Sequence, residues 1–184
     1  ANPTSPPPPA VEKPLPPEAK AAAARRSAEE LYDSGQGEID KAVELLDEAQ
    51  ALADSKDGKE IEKAAKNREA AAKKYKKAVD KFRKATELAP DYYEAWNMLG
   101  YSYRKTGQLG NAFKAYGTCL ELKPDYEPAH EYKGEAHLLA GDLEKAKAEL
   151  AWLTEKKSSE AEKLALAIEN YESGKSEIPA GSGW

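Results

Sequence analysis

The stretch EAWNMLGYSYRKTGQLGNAFKAYGTCLELKPDY, residues 94–126, decides how the rest of the chain is read. It holds one tryptophan and four tyrosines, and Pro124 ends its last apolar run. Small and apolar residues recur at helical intervals on either side of Thr106-Gly107. That pattern predicts two amphipathic helices joined by a tight turn. Whether the aromatics form a chemical site or the joints of a scaffold depends on whether the pattern recurs.

It does recur. Ala112, Tyr116 and Cys119 form a small–aromatic–small triplet on the second helix. Ala42, Leu46 and Ala49, then Ala78, Phe82 and Ala85, then Ala146, Leu150 and Leu153 repeat its spacing. The leading alanines lie 36, 34 and 34 residues apart, and Pro90 and Pro124 are also 34 apart. A fixed period of this length is the mark of stacked helical hairpins. With no alternating strand pattern along the chain, the sequence predicts an all-α protein.

This period and these residues resemble the tetratricopeptide repeat family. Trp96, Leu99, Gly100 and Tyr103 stand where that family has Trp, Leu, Gly and Tyr, Gly107 takes the turn, and Pro124 ends the unit. The resemblance covers about residues 60–154 well and 18–54 more loosely. It implies a right-handed superhelix of stacked antiparallel helix pairs with a C-terminal capping helix and extended tails. Small residues at Gly100 and Ala112 let helices approach closely, and Trp96, Tyr103 and Tyr116 fill the gaps between them. Cys119 reads as a small hydrophobe. The aromatics are therefore joints.

The units divide as follows. Residues 1–17, with eight of the twelve prolines and four in a row at Pro6, Pro7, Pro8 and Pro9, predict an extended arm. Residues 18–58 predict a helical hairpin, a degenerate repeat whose first helix ends at Gly35. Residues 59–92 form a second degenerate unit, with Glu62, Lys66 and Glu69 replacing the expected Trp, Gly and Tyr. No glycine marks a turn there, which leaves either two helices or one long rod. Residues 93–126 are the consensus-like repeat, and 127–156 follow, with His130 and His137 in aromatic positions. Residues 157–173 predict the capping helix with a serine N-cap, and 174–184 a flexible tail ending in Trp184.

Composition narrows function by exclusion. The chain of 184 residues carries a net charge of -5, 33% charged residues and a mean hydropathy of -0.81. No apolar run is long enough to span a bilayer, so membrane insertion is not expected. The sequence offers no Gly-rich phosphate loop, no nucleophile paired with a base and no metal-ligand spacing, and it predicts no enzyme activity and no cofactor. His130 and His137 are seven residues apart, about 10.5 Å along a helix, too far to share one ion. The charge is segregated: net -6 over 1–55, +7 over 56–84 and -6 over 85–184. The basic block reads first as a solvated lysine-rich face, and second as a dock for an acidic partner or a neighbouring copy. Acidic flanks and the lack of interleaved aromatics argue against nucleic acid.

The resemblance also implies a concave groove lined by first helices. Its positions fall on Glu94, Asn97, Tyr101, Arg104 and Lys105 in the central repeat, on Glu131, Glu135 and Leu138 in the next, and on Lys63 and Asn67 before it. Mixed charged, amide and aromatic groups suit an extended peptide or a helix of a protein partner. Lys63 and Asn67 also match two positions of the clamp by which one subclass holds chaperone carboxylates. Met98, Pro128 and Tyr132 fill its other positions, and without those donors the clamp is not expected to work.

The expected function is thus a non-catalytic interaction scaffold. The alternative is a structural subunit of a larger assembly, strapped to its neighbours by the proline arm and the tail at Trp184. The chain begins with Ala, which together with the resemblance to small bacterial periplasmic repeat proteins gives the expectation of a periplasmic or secreted location, the alternative being cytoplasmic.

Overall fold

The computed structural model describes residues 16–175. The proline arm through Pro6–Pro9 and the tail at Trp184 lie outside the described residues. Seven helices follow in order: α1 Pro17–Ala51, α2 Gly58–Leu88, α3 Tyr93–Lys105, α4 Leu109–Leu122, α5 Glu127–Leu139, α6 Leu143–Glu155 and α7 Glu160–Glu172. Helices α1 to α6 pack chiefly on chain neighbours, while α7 packs chiefly on α5. In addition, α3 meets α5, and α5 meets α7. The first helices of successive pairs therefore form one layer, and their shared surface is the inner face of the stack.

One expectation for the N-terminal half is corrected and one open choice is decided. Residues 18–58 do not form a hairpin: α1 is one helix of 35 residues that passes through Gly35 without interruption. It starts where Pro16 is extended and Pro17 takes the first helical position, which suits its fixed φ. Of the two alternatives for residues 59–92, the rod is the one found: α2 is a single helix of 31 residues. Its start is fixed by Asp57, whose Oδ1 accepts hydrogen bonds from the Lys59 amide at 2.7 Å and the Glu60 amide at 3.3 Å.

Gly35 is a packing residue. A Cβ there would lie 2.7 Å from the Phe82 ring, just as a Cβ at Gly100 would lie 2.5 Å from the Tyr116 ring. Phe82 and Tyr116 are both fully buried. The middle of α1 and the second half of α2 therefore make the same helix pair as α3 and α4. Gly35 precedes Phe82 by 47 residues, however, where Gly100 precedes Tyr116 by 16. The additional 31 residues prolong both helices past the level where the α3–α4 turn lies. Ala42 and Ala49 pack in that prolonged hairpin with Ala64 and Ala71, all buried. Glu48 ties it crosswise, taking Lys63 at 3.6 Å and Asn67 Nδ2 at 3.0 Å.

The later turns share one geometry. The amide of Gly107 bonds to the Arg104 carbonyl and that of Gln108 to the Tyr103 carbonyl, and Gly141 and Asp142 repeat the pair on Leu138 and His137. Both glycines have φ near +75°, the left-handed cap that such a turn requires. The turn after α6 has the same bonds, but its left-handed residue is Lys157, with φ 56°. Of the two serines that could supply the expected N-cap, Ser158 gives the oxygen that accepts the Glu160 amide at 3.1 Å, and it donates to Glu127 at 2.7 Å.

Candidate functional site

The inner face is organised by a row of rings. Tyr75 of α2 lies 6.2 Å from Tyr101 of α3, and Tyr101 lies 5.0 Å from Tyr132 of α5. Tyr75 is buried, while Tyr101 and Tyr132 are half-exposed. Helical spacing sets Arg104 and Lys105 one turn beyond Tyr101, so both cations reach the row. The Arg104 guanidinium carbon is 5.2 Å from the Tyr101 ring centre and 5.6 Å from that of Tyr132. Lys105 Nζ lies 5.7 Å from Tyr101 and 5.8 Å from Tyr75, within cation–π range. Lys105 keeps contact with solvent, yet protein crowds around it. That crowding, and next the Arg104 charge, lowers the pKa of its ammonium.

Arg104 is almost wholly buried and forms an ion pair with Glu135 across the α3–α5 junction. The pair overcomes the desolvation of Arg104 and holds its pKa above the ordinary value. One turn before Glu135, Glu131 is only 2% exposed, and its Oε2 has no hydrogen-bond partner. Burial, and next the neighbouring Glu135 carboxylate, raises the Glu131 pKa to about 8, against an opposing pull from Arg104. Glu160 and Lys163 of α7 complete the surroundings. They are paired with each other at 2.8 Å, and each acts electrostatically on this cluster.

The sequence-derived residues separate into three groups. Tyr101, Arg104, Lys105, Glu131 and Glu135 come together here. Glu94 and Asn97 lie earlier on α3. Asn97 is buried, with its Oδ1 unpartnered. Glu94 lies near Tyr32 of α1, whose hydroxyl is pushed up in pKa by burial and then by the Glu94 charge. The other three positions fall elsewhere. Leu138 is 1% exposed and packs in a core with Ala146, Leu153, Leu164 and Ile168, on the side of α5 that α7 covers. Lys63 and Asn67 stand on the prolonged α1–α2 hairpin, held by Glu48 and away from the ring row.

Sequence reasoning missed Tyr75 as part of the face, because it stands in a lysine-rich run that reads as a solvated helix. Glu160 and Lys163 were hidden in the capping helix. The two histidines do replace aromatics. His130 Nε2 meets the Pro124 carbonyl at 3.0 Å, as Trp96 Nε1 donates to the Pro90 carbonyl at 2.9 Å. His130 also stacks on Trp152 at 3.6 Å, and its Nδ1 meets Glu149 at 2.7 Å. Cys119 is fully buried, and burial pushes its thiol up to about 12, so it serves packing rather than reactivity.

Residues 93–126, the α3–α4 pair, match the family described as "Tetratricopeptide repeat". No curated protein matches the chain. Together with the seven helices, this match makes the fold an all-α, tetratricopeptide-type helical repeat. Repeats of this family generally mediate protein–protein interaction. No helix among the described residues is long and apolar enough to cross a membrane.

Proposed function

We propose that the chain is a non-catalytic interaction scaffold that holds a peptide or helical segment of a partner protein on the inner face of α3 and α5. One observation carries this reading: the half-exposed rings of Tyr101 and Tyr132 lie side by side, flanked by the exposed cation Lys105 and the partly exposed carboxylate Glu135. Rigid aromatic surface beside charges of both signs is what a segment of mixed character needs for anchoring. The fold supplies the rigidity, since Arg104 and Glu135 lock α3 to α5 beneath the rings.

The test is copurification from source cells in mild detergent and low salt, comparing the unaltered chain with Tyr101→Ala/Lys105→Ala. These two residues are chosen because both touch solvent. Arg104→Ala would strand a carboxylate inside the α3–α5 junction and confuse unfolding with lost binding. The expected result is a stoichiometric companion that the double variant loses while keeping its helical circular dichroism. Retention of the companion by the folded variant overturns the reading. The alternative, a subunit built into a larger assembly, is favoured by the prolonged α1–α2 hairpin, which carries its own length of exposed surface. In that case, removal of residues 1–15 or of the hairpin would release the companion and the inner-face variant would not.

A further inference from the structure

We infer that the inner face contains a subsite for a basic side chain, the guanidinium or ammonium of an arginine or lysine in the bound segment, received by Glu131 and Glu135 beside the rings of Tyr101 and Tyr132. This rests on the inner-face reading above and gives its partner a chemistry.

The charges facing the cluster can be assigned one by one. From α3 come Arg104 and Lys105, from α5 Glu131 and Glu135, and from α7 Glu160 and Lys163. Arg104 is taken by Glu135, and Lys163 by Glu160. Lys105 lies over the rings of Tyr75 and Tyr101 and makes no ion pair among the described residues. Glu131 is therefore the acid left without a cation. It is nine-tenths buried and more, and its Oε2 has no partner. Burial and the neighbouring Glu135 carboxylate, outweighing the pull of Arg104, favour the protonated form of Glu131 in the free chain. A cation entering the cluster takes over the role of that proton.

The surroundings select the kind of cation. The Glu135 side chain is 29% exposed and one helical turn from Glu131, so an approaching group meets a carboxylate at the surface before the buried one. Tyr101 and Tyr132 add ring faces that attract a cation and accept an aliphatic stem. A metal ion is disfavoured because no group of three or more His, Cys, Asp or Glu among the described residues could hold one. An anionic side chain would have to displace Glu135 from Arg104 and would meet the partly exposed Glu135 carboxylate as a like charge. An organic cation on a flexible stem fits what remains.

The experiment uses the whole chain with N-acetyl-arginine amide as probe and N-acetyl-norleucine amide as the uncharged control. Ring-proton NMR shifts of Tyr101 and Tyr132 are followed at pH 6.5 and pH 9. The arginine derivative should give saturable shifts that the norleucine derivative does not. Its apparent affinity should be several-fold tighter at pH 9, where no proton competes for Glu131. Glu131→Gln, which keeps a neutral side chain of the same shape, should lose that pH dependence. Equal shifts with both probes, no saturation with either, or an unchanged pH dependence in Glu131→Gln overturns the inference. The two readings fail separately. A silent probe with partner capture still lost in Tyr101→Ala/Lys105→Ala removes the subsite and leaves the scaffold. Probe binding with capture unaffected by that variant does the reverse.

Discussion

At the scale of single residues, two glycines two positions apart on α1 have opposite meanings. Gly35 faces the buried Phe82 ring, and Gly37 has nothing within 4 Å of where a Cβ would stand. Alanine improves helix propensity at either site by up to about 1 kcal/mol. At Gly35 the added methyl would need the fully buried ring to move, and overpacking of that kind costs roughly 1–3 kcal/mol. Gly35→Ala should lower the thermal midpoint, and Gly37→Ala should raise it by the equivalent of roughly 0.5–1 kcal/mol. Circular dichroism melts of the two variants decide the matter. A rise for both would show that Gly35 is no packing joint. Sequence alone reads Gly35 as a helix end, because glycine following an apolar stripe is the usual stop signal. What it serves instead is a contact with a residue 47 positions away, which no local window contains.

Glu131 gives a second prediction at this scale. A carboxyl whose pKa is raised from 4.5 to about 8 on folding binds its proton more tightly in the folded chain than in the unfolded one. The stability it contributes is complete below about 4.5, declines as pH rises, and is lost once pH passes about 8. Glutamine imitates the protonated form and can donate to Glu135 as that form does. Glu131→Gln should therefore melt close to the unaltered chain at pH 5 and above it at pH 9, by up to roughly 4 kcal/mol. Equal melting differences at both pH values would mean that Glu131 is ionised throughout. The sequence placed this residue on the inner face but could not show that it lies beneath the surface, since burial there depends on α7 folding back over α5.

At the scale of elements, the repeated turn carries the most information. Three of the helix ends on one pattern have glycine in the left-handed position, at Gly107, Gly141 and Gly174, whereas the end of α6 has Lys157. A side chain with a Cβ is strained there by roughly 1 kcal/mol or more. Lys157 is exposed and makes no ion pair among the described residues, so replacing it removes strain without removing a contact. Lys157→Gly should raise the thermal midpoint by the equivalent of about 1 kcal/mol, and Gly107→Lys should lower it by at least as much. A neutral Lys157→Gly would mean that the greater freedom of glycine in the unfolded chain cancels the relief. The later hairpins were legible because they keep Gly107, Gly141 and the closing Pro124 at family spacing. The His130 substitution was legible as well, since an imidazole offers the flat ring and the ring nitrogen that Trp96 uses at the same place. Which serine caps α7 was not legible, because Ser158 and Ser159 are indistinguishable by type and only the tie from Ser158 to Glu127 separates them.

At the scale of the whole molecule, the departure from a regular stack is the prolonged α1–α2 hairpin, and its independence from the rest can be tested. The second-helix triplets place Tyr75 where Leu109 stands one repeat later, and Gly35 corresponds to Gly100. Replacing residues 41–74 by Thr-Gly-Gln, the turn found at 106–108, would thus shorten the chain by the 31 additional residues and restore the regular spacing. The contacts that hold α1 to the stack remain: Gly35 against Phe82, Tyr32 at 5.5 Å from Phe82, and Ala28 packed with Ala85 and Ala89. What is lost is the alanine seam of the hairpin and the ties of Glu38 to Lys74 and of Glu48 to Lys63 and Asn67. The exposed ties of Glu48 contribute little, the Glu38–Lys74 tie is only partly buried, and the seam is built from small side chains, so the hairpin should be the least stable part of the helical array. The shortened chain should therefore unfold in one cooperative transition, with helicity per residue close to that of the intact chain. In the intact chain, amide hydrogen exchange over about residues 46–66 should be faster than at the equivalent depth of α3 and α4. If excision instead leaves the chain molten, the hairpin is what nucleates the stack, and α1 and α2 would have to be treated as one folding unit onto which the later repeats dock.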